Sequence, residues 1–435
     1  MLLVVNINGG DILKYTKKNM GGYNLHLIQT DKFKTVTIKI NFRRPIKKDE
    51  ITIRNVLCDM FTQSSGKYPS KRSLTIKAQD LYAADIRCSN SRYGNYINTG
   101  FCLNVLNDKY TEEGNFRDSL NFIHDIIFDP DIVNGSFNEE KLDIVKTACL
   151  NSLNSIKDNP SDYSLLRMFE EFDKSGVYSY RMMGYVDDLD KITGNKLYQY
   201  YVSMIREDLV DIFVIGNIDN DEMIKLIDET FKINTFKNYK VNYFALEKKP
   251  RMRRRFVKEE IDNTQSKLAI ACRCNGLTDY ERKYPLTLFN IIFGGGSDSK
   301  LFKNVREKNS LCYTINSVVN KLDNIVIIRS GIDKSNFKKA VKIIEKELLA
   351  MKNGEFDEND IKIAKEYYNT AMDEILESED RIINNYYVME MIGTDDIDKK
   401  RSMMSKVVKE EIVEVAKKVY MDTIFCLEGV ADEES

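Results

Sequence analysis

The order of predicted secondary-structure elements occurs twice along this chain of 435 residues. In the first half, apolar residues alternate over 36–42 as in a half-buried strand, and an apolar stripe at helical spacing follows over 53–61. In the second half, the same alternation covers 268–272, and a helical stretch follows over 284–293. A chain with this pattern is expected to fold as two similar bodies rather than as one continuous core.

The later elements of each half repeat at a nearly constant distance. Each half has a strand that leads into an amphipathic helix, and then a long helix with acidic residues in its first turn, where the helix dipole favours them. Phe356 precedes the second of these long helices and lies 219 residues after its counterpart Phe137. Each half ends in an apolar strand that runs into a glycine, and Gly429 lies 213 residues after Gly216. The similar offsets indicate a duplicated unit.

The repeat predicts the fold class and the division of the chain. We expect an α+β protein of two homologous repeats, each a mainly antiparallel or mixed β-sheet with helices packed on one face. The N-terminal repeat is predicted over residues 1–231, a linker with a basic run over 232–256, and the C-terminal repeat over 257–435. The alternative interpretation is two unrelated α+β domains.

The charge of the chain limits its partners. The formal net charge is −2, so there is no overall field that would attract nucleic acid or anionic lipid. The basic run at residues 248–255 is the exception. It is either a solvated linker at a domain join or a docking surface for an acidic partner or RNA. We favour the linker, and we expect neither a nucleic-acid nor a membrane partner.

Cysteine usage bears on the compartment. The eight cysteines are scattered singly along a large chain, which is unlike the dense disulfide framework of a small secreted protein. The first ten residues lack the basic segment of a signal peptide. No later segment approaches the about 18 unbroken apolar residues of a membrane-spanning helix. The sequence therefore predicts reduced thiols and a cytoplasmic location.

One short segment combines a flexible loop, a forked donor and a phenol. It begins with Gly294, Gly295 and Gly296 and continues to Arg306 and Tyr313. The apolar pattern between them predicts a helix over 299–308 and a strand over 311–315. Arg306 near the helix end and Tyr313 on the strand would then meet in one cleft. The alternative is a surface helix arginine and a tyrosine packed within a sheet.

The duplicated α+β halves and this segment resemble the pitrilysin (insulinase) superfamily of zinc peptidases, and the resemblance covers essentially the whole chain. In that family the matching arginine and tyrosine bind substrate backbone near the scissile bond, which assigns this role to Arg306 and Tyr313. A guanidinium is a fixed fork of donors that stays charged, and a tyrosine hydroxyl can donate to a developing oxyanion. The resemblance also gives Gly294, Gly295 and Gly296 a substrate-contacting or gating role.

The resemblance implies a zinc site that this chain does not carry. Active members have His-x-x-Glu-His on the first helix of the first half, with two histidines on one helix face and the glutamate as general base. Here Asn55, Cys58 and Asp59 stand in place of the first histidine, the glutamate and the second histidine. The third ligand, a glutamate in active members, falls at Asn151 or Ser152.

These substitutions predict that the chain holds no catalytic residue and no metal. One thiolate and one carboxylate without an imidazole fall short of the three or four ligands that zinc usually takes. The only histidines are His26, in an alternating segment, and His124, on an amphipathic helix, and neither has a nucleophilic partner implied by the sequence.

The resemblance leads to a hypothesis about function. Large single-chain members enclose a chamber with four such repeats, and this chain has two. We therefore expect a non-catalytic, substrate-binding subunit of a heterodimeric zinc peptidase that processes peptides or proteins. The chain would be inactive alone, and zinc would sit on a homologous partner that retains the zinc motif. The alternative is an architectural or assembly homologue with no role in proteolysis.

Overall fold

The computed structural model describes residues 2–6, 12–234, 239 and 242–430. Residues 235–238 and 240–241 of the predicted linker, with 1, 7–11 and 431–435, lie outside the described residues. The chain divides into two compact units. Unit 1 comprises Met1–Asn154, Arg181–Tyr243 and Ile375–Ile392, and unit 2 comprises Ser155–Tyr180, Phe244–Glu374 and Gly393–Ser435.

A seven-stranded sheet forms the centre of unit 1. Its strands lie in the order β1, β2, β3, β9, β4, β6, β5, and only β3 and β9 run parallel. The strands are β1 (Leu2–Asn6), β2 (Ile12–Asn19), β3 (Asn24–Gln29), β4 (Thr35–Pro45), β5 (Asp85–Tyr93), β6 (Tyr96–Leu106) and β9 (Leu209–Gly216). The short strands β7 (Ile132–Val133) and β8 (Ser136–Phe137) pair separately as a hairpin.

A five-stranded sheet forms the centre of unit 2. Its strands are β10 (Arg255–Ile261), β11 (Ser266–Cys274), β12 (Cys312–Asn320), β13 (Ile325–Ile332) and β14 (Val419–Gly429). They lie in the order β10, β14, β11, β13, β12, and only β10 and β14 run parallel. This order reproduces β3, β9, β4, β6, β5 of unit 1 with the same strand directions. The α+β class and the two repeats predicted from the sequence are confirmed.

The helices also follow the repeat. Unit 1 contains α1 (Ile51–Met60), α2 (Lys71–Asp80), α3 (Asn115–Phe128), α4 (Glu139–Asn154), α6 (Val186–Leu189), α7 (Gly194–Glu207), α8 (Asn220–Thr230) and α13 (Glu379–Ile392). Unit 2 contains α5 (Pro160–Phe172), α9 (Asp279–Lys283), α10 (Pro285–Gly294), α11 (Phe337–Lys352), α14 (Ile397–Lys406) and α15 (Lys409–Lys417). Helix α12 (Glu358–Leu376) begins in unit 2 and ends in unit 1.

Alternation along β4 explains how the core of unit 1 forms. Val36, Ile38, Ile40 and Phe42 point to one face of the sheet, because side chains of a strand alternate between faces. All four are buried with apolar residues of α1, α3 and α7 in one cluster. At about 25 cal/mol per Å² of buried apolar surface, such a face supplies the main stabilisation of the unit.

The opposite face of this sheet is covered by a helix from the second half of the sequence. The Glu379 carboxylate at the start of α13 accepts hydrogen bonds from Thr35 and Thr37 at 2.7 and 2.8 Å. Farther along the helix, Asn384 accepts one from Lys39 at 2.8 Å, and the Tyr387 hydroxyl donates one to Asn98 at 3.0 Å. Polar residues of β4 and β6 thus hold α13 on this face, in addition to the helices that pack on the apolar face.

A buried polar network fixes the same helix to β2 and β3. The Tyr15 hydroxyl lies 2.7 Å from Nδ1 of His26 and 2.7 Å from the Glu390 carboxylate, which also pairs with Lys17. His26 Nε2 lies 3.0 Å from Asp211, and Arg43 pairs with that carboxylate as well. Burial lowers the pKa of His26 to about 3, so the ring is neutral near pH 7.

Unit 2 includes a helix from the first half of the sequence, α5. Met168 and Phe172 of α5 are fully buried against β11 and β14, in a cluster that includes Ala271 and Phe425. The guanidinium of Arg167 adds hydrogen bonds to the β10 carboxylate of Glu259, at 2.7 and 2.9 Å. The compact units therefore exchange α5 and α13, whereas the contiguous halves predicted at 1–231 and 257–435 follow the sequence repeat alone.

The basic run at 248–255 pairs with acidic residues of unit 2. Lys248 lies 2.5 Å from Asp173, and Arg251 lies 3.1 Å from Asp422. Arg254 and Arg255 pair with Glu345 and Glu171, respectively. These contacts favour the interpretation as a linker over that of a nucleic-acid surface. Among the residues that the structure describes, no helix is long and apolar enough to span a bilayer.

Candidate functional site

The glycine run begins inside a helix. Gly294 is the last residue of α10, and none of the three glycines has a positive φ. A Cβ on Gly294 would lie 2.6 Å from the Ser317 hydroxyl, whereas one on Gly296 would meet nothing closer than 3.6 Å. Glycine is therefore required at 294 by the close approach of β12, and not by the backbone conformation.

A reciprocal pair of hydrogen bonds holds β12 against α10. The Asn290 amide donates to the Ser317 carbonyl at 3.2 Å, and the Ser317 hydroxyl donates to the Asn290 side-chain oxygen at 2.8 Å. Both side chains lie in the partly buried contact next to Gly294. This contact fixes the position of β12, the terminal strand of the five-stranded sheet.

The segment between the glycines and β12 forms a π-helical turn. The sequence predicts a helix over 299–308, and the structure has a π-helix over Phe302–Glu307. The Ser299 hydroxyl accepts a hydrogen bond from the Phe302 amide at 3.4 Å. The Lys308 amide reaches the Lys303 carbonyl at 3.0 Å, five residues back. Such turns are rare in proteins as a whole, and those that occur are often found at functional sites.

A β-bulge turns Tyr313 outward. In a regular strand, Tyr313 would share a face with Leu311 and Ile315, which are buried. The pairing with β13 shifts, however, because Cys312 pairs with Ile332 and Thr314 with the next residue, Gly331. Tyr313 is the extra residue, and 76% of its surface is exposed. Bulges commonly re-aim a side chain in this way.

Arg306 lies beside this exposed ring. Its guanidinium carbon is 4.5 Å from the centre of the Phe302 ring and 5.4 Å from that of Tyr313. These cation–π contacts place the guanidinium next to two aromatic rings. Within residues 12–234 and 242–430, no carboxylate pairs with Arg306 and no protein group accepts from the Tyr313 hydroxyl.

The arrangement has a definite chemical capacity. The guanidinium is positioned by stacking, so its N–H donors remain available to a carbonyl or carboxylate outside the protein. The Tyr313 hydroxyl adds a second donor next to it. The structure thus brings Arg306 and Tyr313 together, as expected from the sequence. A role of these residues in binding substrate stays a prediction.

The position of the first zinc-binding histidine is occupied by a half-buried amide. The Asn55 side chain donates to the Met182 carbonyl at 2.7 Å and accepts from the Asn90 amide at 2.8 Å. Its neighbour Arg54 is fully buried and pairs with the buried Asp208 at 2.7 Å. Helix α1 is therefore anchored by polar contacts on the very turn where active relatives bind metal.

The other two positions contact cysteines. Cys58 Sγ lies 2.8 Å from Cys88 Sγ of β5, and the Cys149 thiol of α4 lies 3.4 Å from the Asp59 carboxylate. Burial raises the pKa of Cys149 to about 12, and Asp59 adds to this effect. Asn151 and Ser152 are both exposed. Ser152 lies three residues from Cys149 on the same side of α4, whereas Asn151 lies on the opposite side.

These donors do not fit zinc. The amide of Asn55 cannot replace an imidazole ligand, and one thiol and one carboxylate fall short of the three or four ligands that zinc usually takes. In the part of the chain that the structure describes, no group of three or more histidine, cysteine, aspartate or glutamate side chains is arranged to hold a metal ion. His26 belongs to the buried polar network with Asp211, and His124 lies on α3.

Some of these contacts have no signal in the sequence. The bulge at Tyr313 is invisible because the strand alternation continues regularly through it. The approach of Cys88 and Cys149 to α1 depends on tertiary packing, and their spacing from Cys58 and Asp59 is not that of a metal-binding motif. From the segment itself, only the proximity of Arg306 and Tyr313 could be predicted.

Comparisons with known proteins agree with the replacement of the zinc-binding residues in this chain. A family model described as "Peptidase M16 inactive domain" matches residues 191–368. The chain is 30% identical over 419 residues to the probable inactive metalloprotease YmfF of Bacillus subtilis, which covers 95% of this chain and 97% of that protein. The same inactive character is expected from Asn55, Cys58 and Asp59.

Solved structures share the fold. A conserved protein from Enterococcus faecalis V583 matches with a TM-score of 0.88 and 27% identity, over 97% of this chain and 100% of that one. The periplasmic protease PqqL of Escherichia coli matches 98% of this chain, with a TM-score of 0.70 and 11% identity, but only 46% of PqqL is covered. The chain therefore belongs to the M16 (pitrilysin or insulinase) family of metallopeptidases, as one of its inactive, non-catalytic members.

Proposed function

We propose that this chain is the substrate-binding subunit of a heterodimeric zinc peptidase and that it completes its partner's active site with Arg306 and Tyr313. The partner would be a homologous chain that retains His-x-x-Glu-His and carries the zinc. The observation that supports this most strongly is the outward placement of Tyr313 by a bulge, beside a guanidinium that has no carboxylate partner among the described residues. An inert scaffold has no physical need for either feature.

The neighbouring strand supports a peptide or protein as the ligand. β12 is the last strand of its sheet, and Tyr313 lies at its start. An extended peptide can add to such an edge by main-chain hydrogen bonds, while side chains at the end of the strand select its register. Arg306 and Tyr313 would then meet a carbonyl of that peptide.

The chain's own residues support the proposal of a partner. Asn55, Cys58 and Asp59 supply neither a zinc site nor a general base. The fold matches 46% of PqqL, so a larger protease of this fold contains a second region of comparable size. A second two-repeat chain would supply such a region here.

The cytoplasmic location predicted from the sequence belongs to the same proposal. Its support is that all eight cysteines are free thiols in the structure. A reducing compartment maintains cysteines in this state.

The test is reconstitution. The chain is expressed alone and together with a homologous chain of similar length that has an intact His-x-x-Glu-His, and bound zinc and peptide cleavage are measured for both preparations. We expect zinc and cleavage only with the partner present. Robust zinc-dependent cleavage by the chain alone would overturn the proposal.

Variants of the two residues test their roles in the complex. Y313F removes only the hydroxyl and keeps the ring against Arg306, and R306K keeps the charge without the fork. Each is expected to lower kcat/KM at unchanged zinc content, and loss of an oxyanion-type donor typically costs about 100–1000-fold in kcat. The matched controls are Y420F and R253A, at exposed residues of the same unit.

The same experiment distinguishes the architectural alternative. If the complex assembles with zinc and both Y313F and R306K retain normal kinetics, the chain supports its partner without contacting substrate. That outcome would refute the assigned roles of Arg306 and Tyr313, and it would leave the assembly as the function of the chain.

A further inference from the structure

Two cysteines from different elements face each other in unit 1. Cys58 lies on α1 and Cys88 on the edge strand β5, and their sulfur atoms are 2.8 Å apart. Both are free thiols. A disulfide needs the sulfurs at about 2.05 Å, so a small further approach of the two side chains is enough to join them.

One of the two thiols borders a cavity. Cys88 lines a cavity of about 290 Å³ together with Phe61, Leu74, Ile86, Phe101 and Phe122. Cys88 is partly exposed, whereas Cys58 is 5% exposed. A small oxidant can therefore reach Cys88 first, while Cys58 lies behind it in contact with the sulfur.

We propose that Cys58 and Cys88 form a reversible redox pair, in which a peroxide oxidises Cys88 and Cys58 resolves the product into an intramolecular disulfide. The pair stands where active relatives have their general base, and it requires no partner subunit. Nothing in the proposed peptidase role uses either thiol.

The chemistry balances in two steps. The Cys88 sulfur attacks one oxygen of hydrogen peroxide, the O–O bond breaks, and the products are a sulfenic acid and water. The Cys58 sulfur then attacks the Cys88 sulfur, the S–O bond breaks, and a second water leaves with the thiol proton. Two thiols are oxidised by two electrons, and one peroxide is reduced to two waters. A dithiol reductant reverses the reaction by thiol–disulfide exchange.

Burial sets the rate of this reaction. Burial of the Cys88 side chain and its contact with Cys58 raise the pKa of Cys88 well above the usual value, so Cys88 rests as the protonated thiol. We therefore expect slow oxidation near neutral pH and faster oxidation at alkaline pH. The preformed contact with Cys58 then removes the sulfenic acid before further oxidation.

The disulfide would tie α1 to the edge of the sheet. β5 is the terminal strand of the seven-stranded sheet, paired on one side with β6. A bond to α1 restrains this strand and closes a loop between positions 30 residues apart. Oxidation would thus stiffen the region that replaces the zinc site.

Peptide mapping of the full-length chain tests the proposal. The protein is treated with hydrogen peroxide at alkaline pH, alkylated under denaturing conditions, and digested without reduction. We expect two fewer alkylated thiols, a peptide pair that links Cys58 to Cys88, and full recovery after dithiothreitol. Retention of all eight thiols, or linkage through other cysteines, would overturn the pair.

Single variants make the order of steps testable. In C58S, the Cys88 sulfenic acid has no resolving thiol, so dimedone should trap it there, whereas wild type should show little trapping. The matched control is C149S, because Cys149 also has a raised pKa but contacts Asp59 rather than a thiol. C149S should form the same disulfide as wild type. Equal dimedone labelling of Cys88 in wild type and C58S would contradict the resolving role of Cys58.

Discussion

The anchoring of α1 by a buried charge gives a quantitative prediction for Asp208→Asn. The Asp208 carboxylate is fully buried and pairs with Arg44 and, at 2.7 Å, with Arg54. Burial alone would lower the pKa of Arg54, and Asp208 raises it above its ordinary value. Asparagine has nearly the same shape but removes the buried negative charge that pairs with this arginine.

The contacts that remain set the expected size of the effect. Breaking a buried ion pair costs about 3–5 kcal/mol, because a charge is left without compensation. Arg54 keeps hydrogen bonds to Thr99 and to the Phe42 carbonyl, each at 2.7 Å, and Arg44 keeps Glu50 at 3.3 Å. Asparagine also retains one acceptor, worth about 1 kcal/mol. We therefore expect a loss near the lower end, about 3 kcal/mol.

The loss of stability can be measured in α1 itself by hydrogen exchange with mass spectrometry, because exchange rates report local opening free energies. Amides of α1 should exchange faster in D208N. The matched control is Glu229→Gln, whose partner Arg117 and own side chain are 57% and 47% exposed. Exposed pairs contribute only about 0–1 kcal/mol. If protection of α1 in D208N falls no more than in E229Q, the buried ion pair does not anchor this helix.

Three further predictions concern other parts of the fold. Burial lowers the pKa of His26 to about 3, against 6.5 in the unfolded chain. The contribution of the neutral ring to the free energy of unfolding is therefore fully present above pH 6.5 and is lost as the pH falls toward 3. Urea unfolding of H26Q should show a flatter pH slope. G294A should lower the thermal midpoint, with a cost of about 1–3 kcal/mol from the contact with Ser317, whereas G296A should change it little. A Cys58–Cys88 disulfide should stabilise unit 1 by about 3–4 kcal/mol in urea, and dithiothreitol should remove this gain. A pH slope unchanged in H26Q, equal midpoints for both glycine variants, or identical urea curves for oxidised and reduced protein would contradict the respective argument.

Periodicity predicted the strand and the helix that open each repeat. Alternation over 36–42 and 268–272 became β4 and β11, and the helical stripes became α1 and α10. These elements bury one apolar face each, so their pattern is imposed by the core. The two sheets also share strand order, which agrees with the repeat that the sequence offsets indicate.

The exchange of helices could not be predicted in the same way. Helix α5 is amphipathic, but an apolar stripe does not specify which sheet it covers, and α13 has hardly any stripe at all. The contacts that decide this are between distant residues, such as Glu379 with Thr37 and Arg167 with Glu259. Their side chains are ordinary surface residues as far as the sequence shows.

At the candidate site, the residues themselves could be predicted from the sequence, but the orientation of their side chains could not. Arg306 and Tyr313 are recognisable from their segment, as are the replacements at Asn55, Cys58 and Asp59. The exposure of Tyr313 depends on one extra residue in the pairing of β12 with β13, and the alternation of Leu311 and Ile315 hides it. A bulge changes register without changing composition, so its position appears only in the structure.

The measurement that tests the central proposal most directly is kcat/KM of the reconstituted complex with Y313F. This variant keeps the ring that stacks on Arg306 and removes only the hydroxyl. The proposal predicts a fall of about 100–1000-fold in turnover, with unchanged zinc content and assembly. Peptide cleavage equal to that of the wild-type complex would show that Tyr313 donates nothing to the reacting substrate.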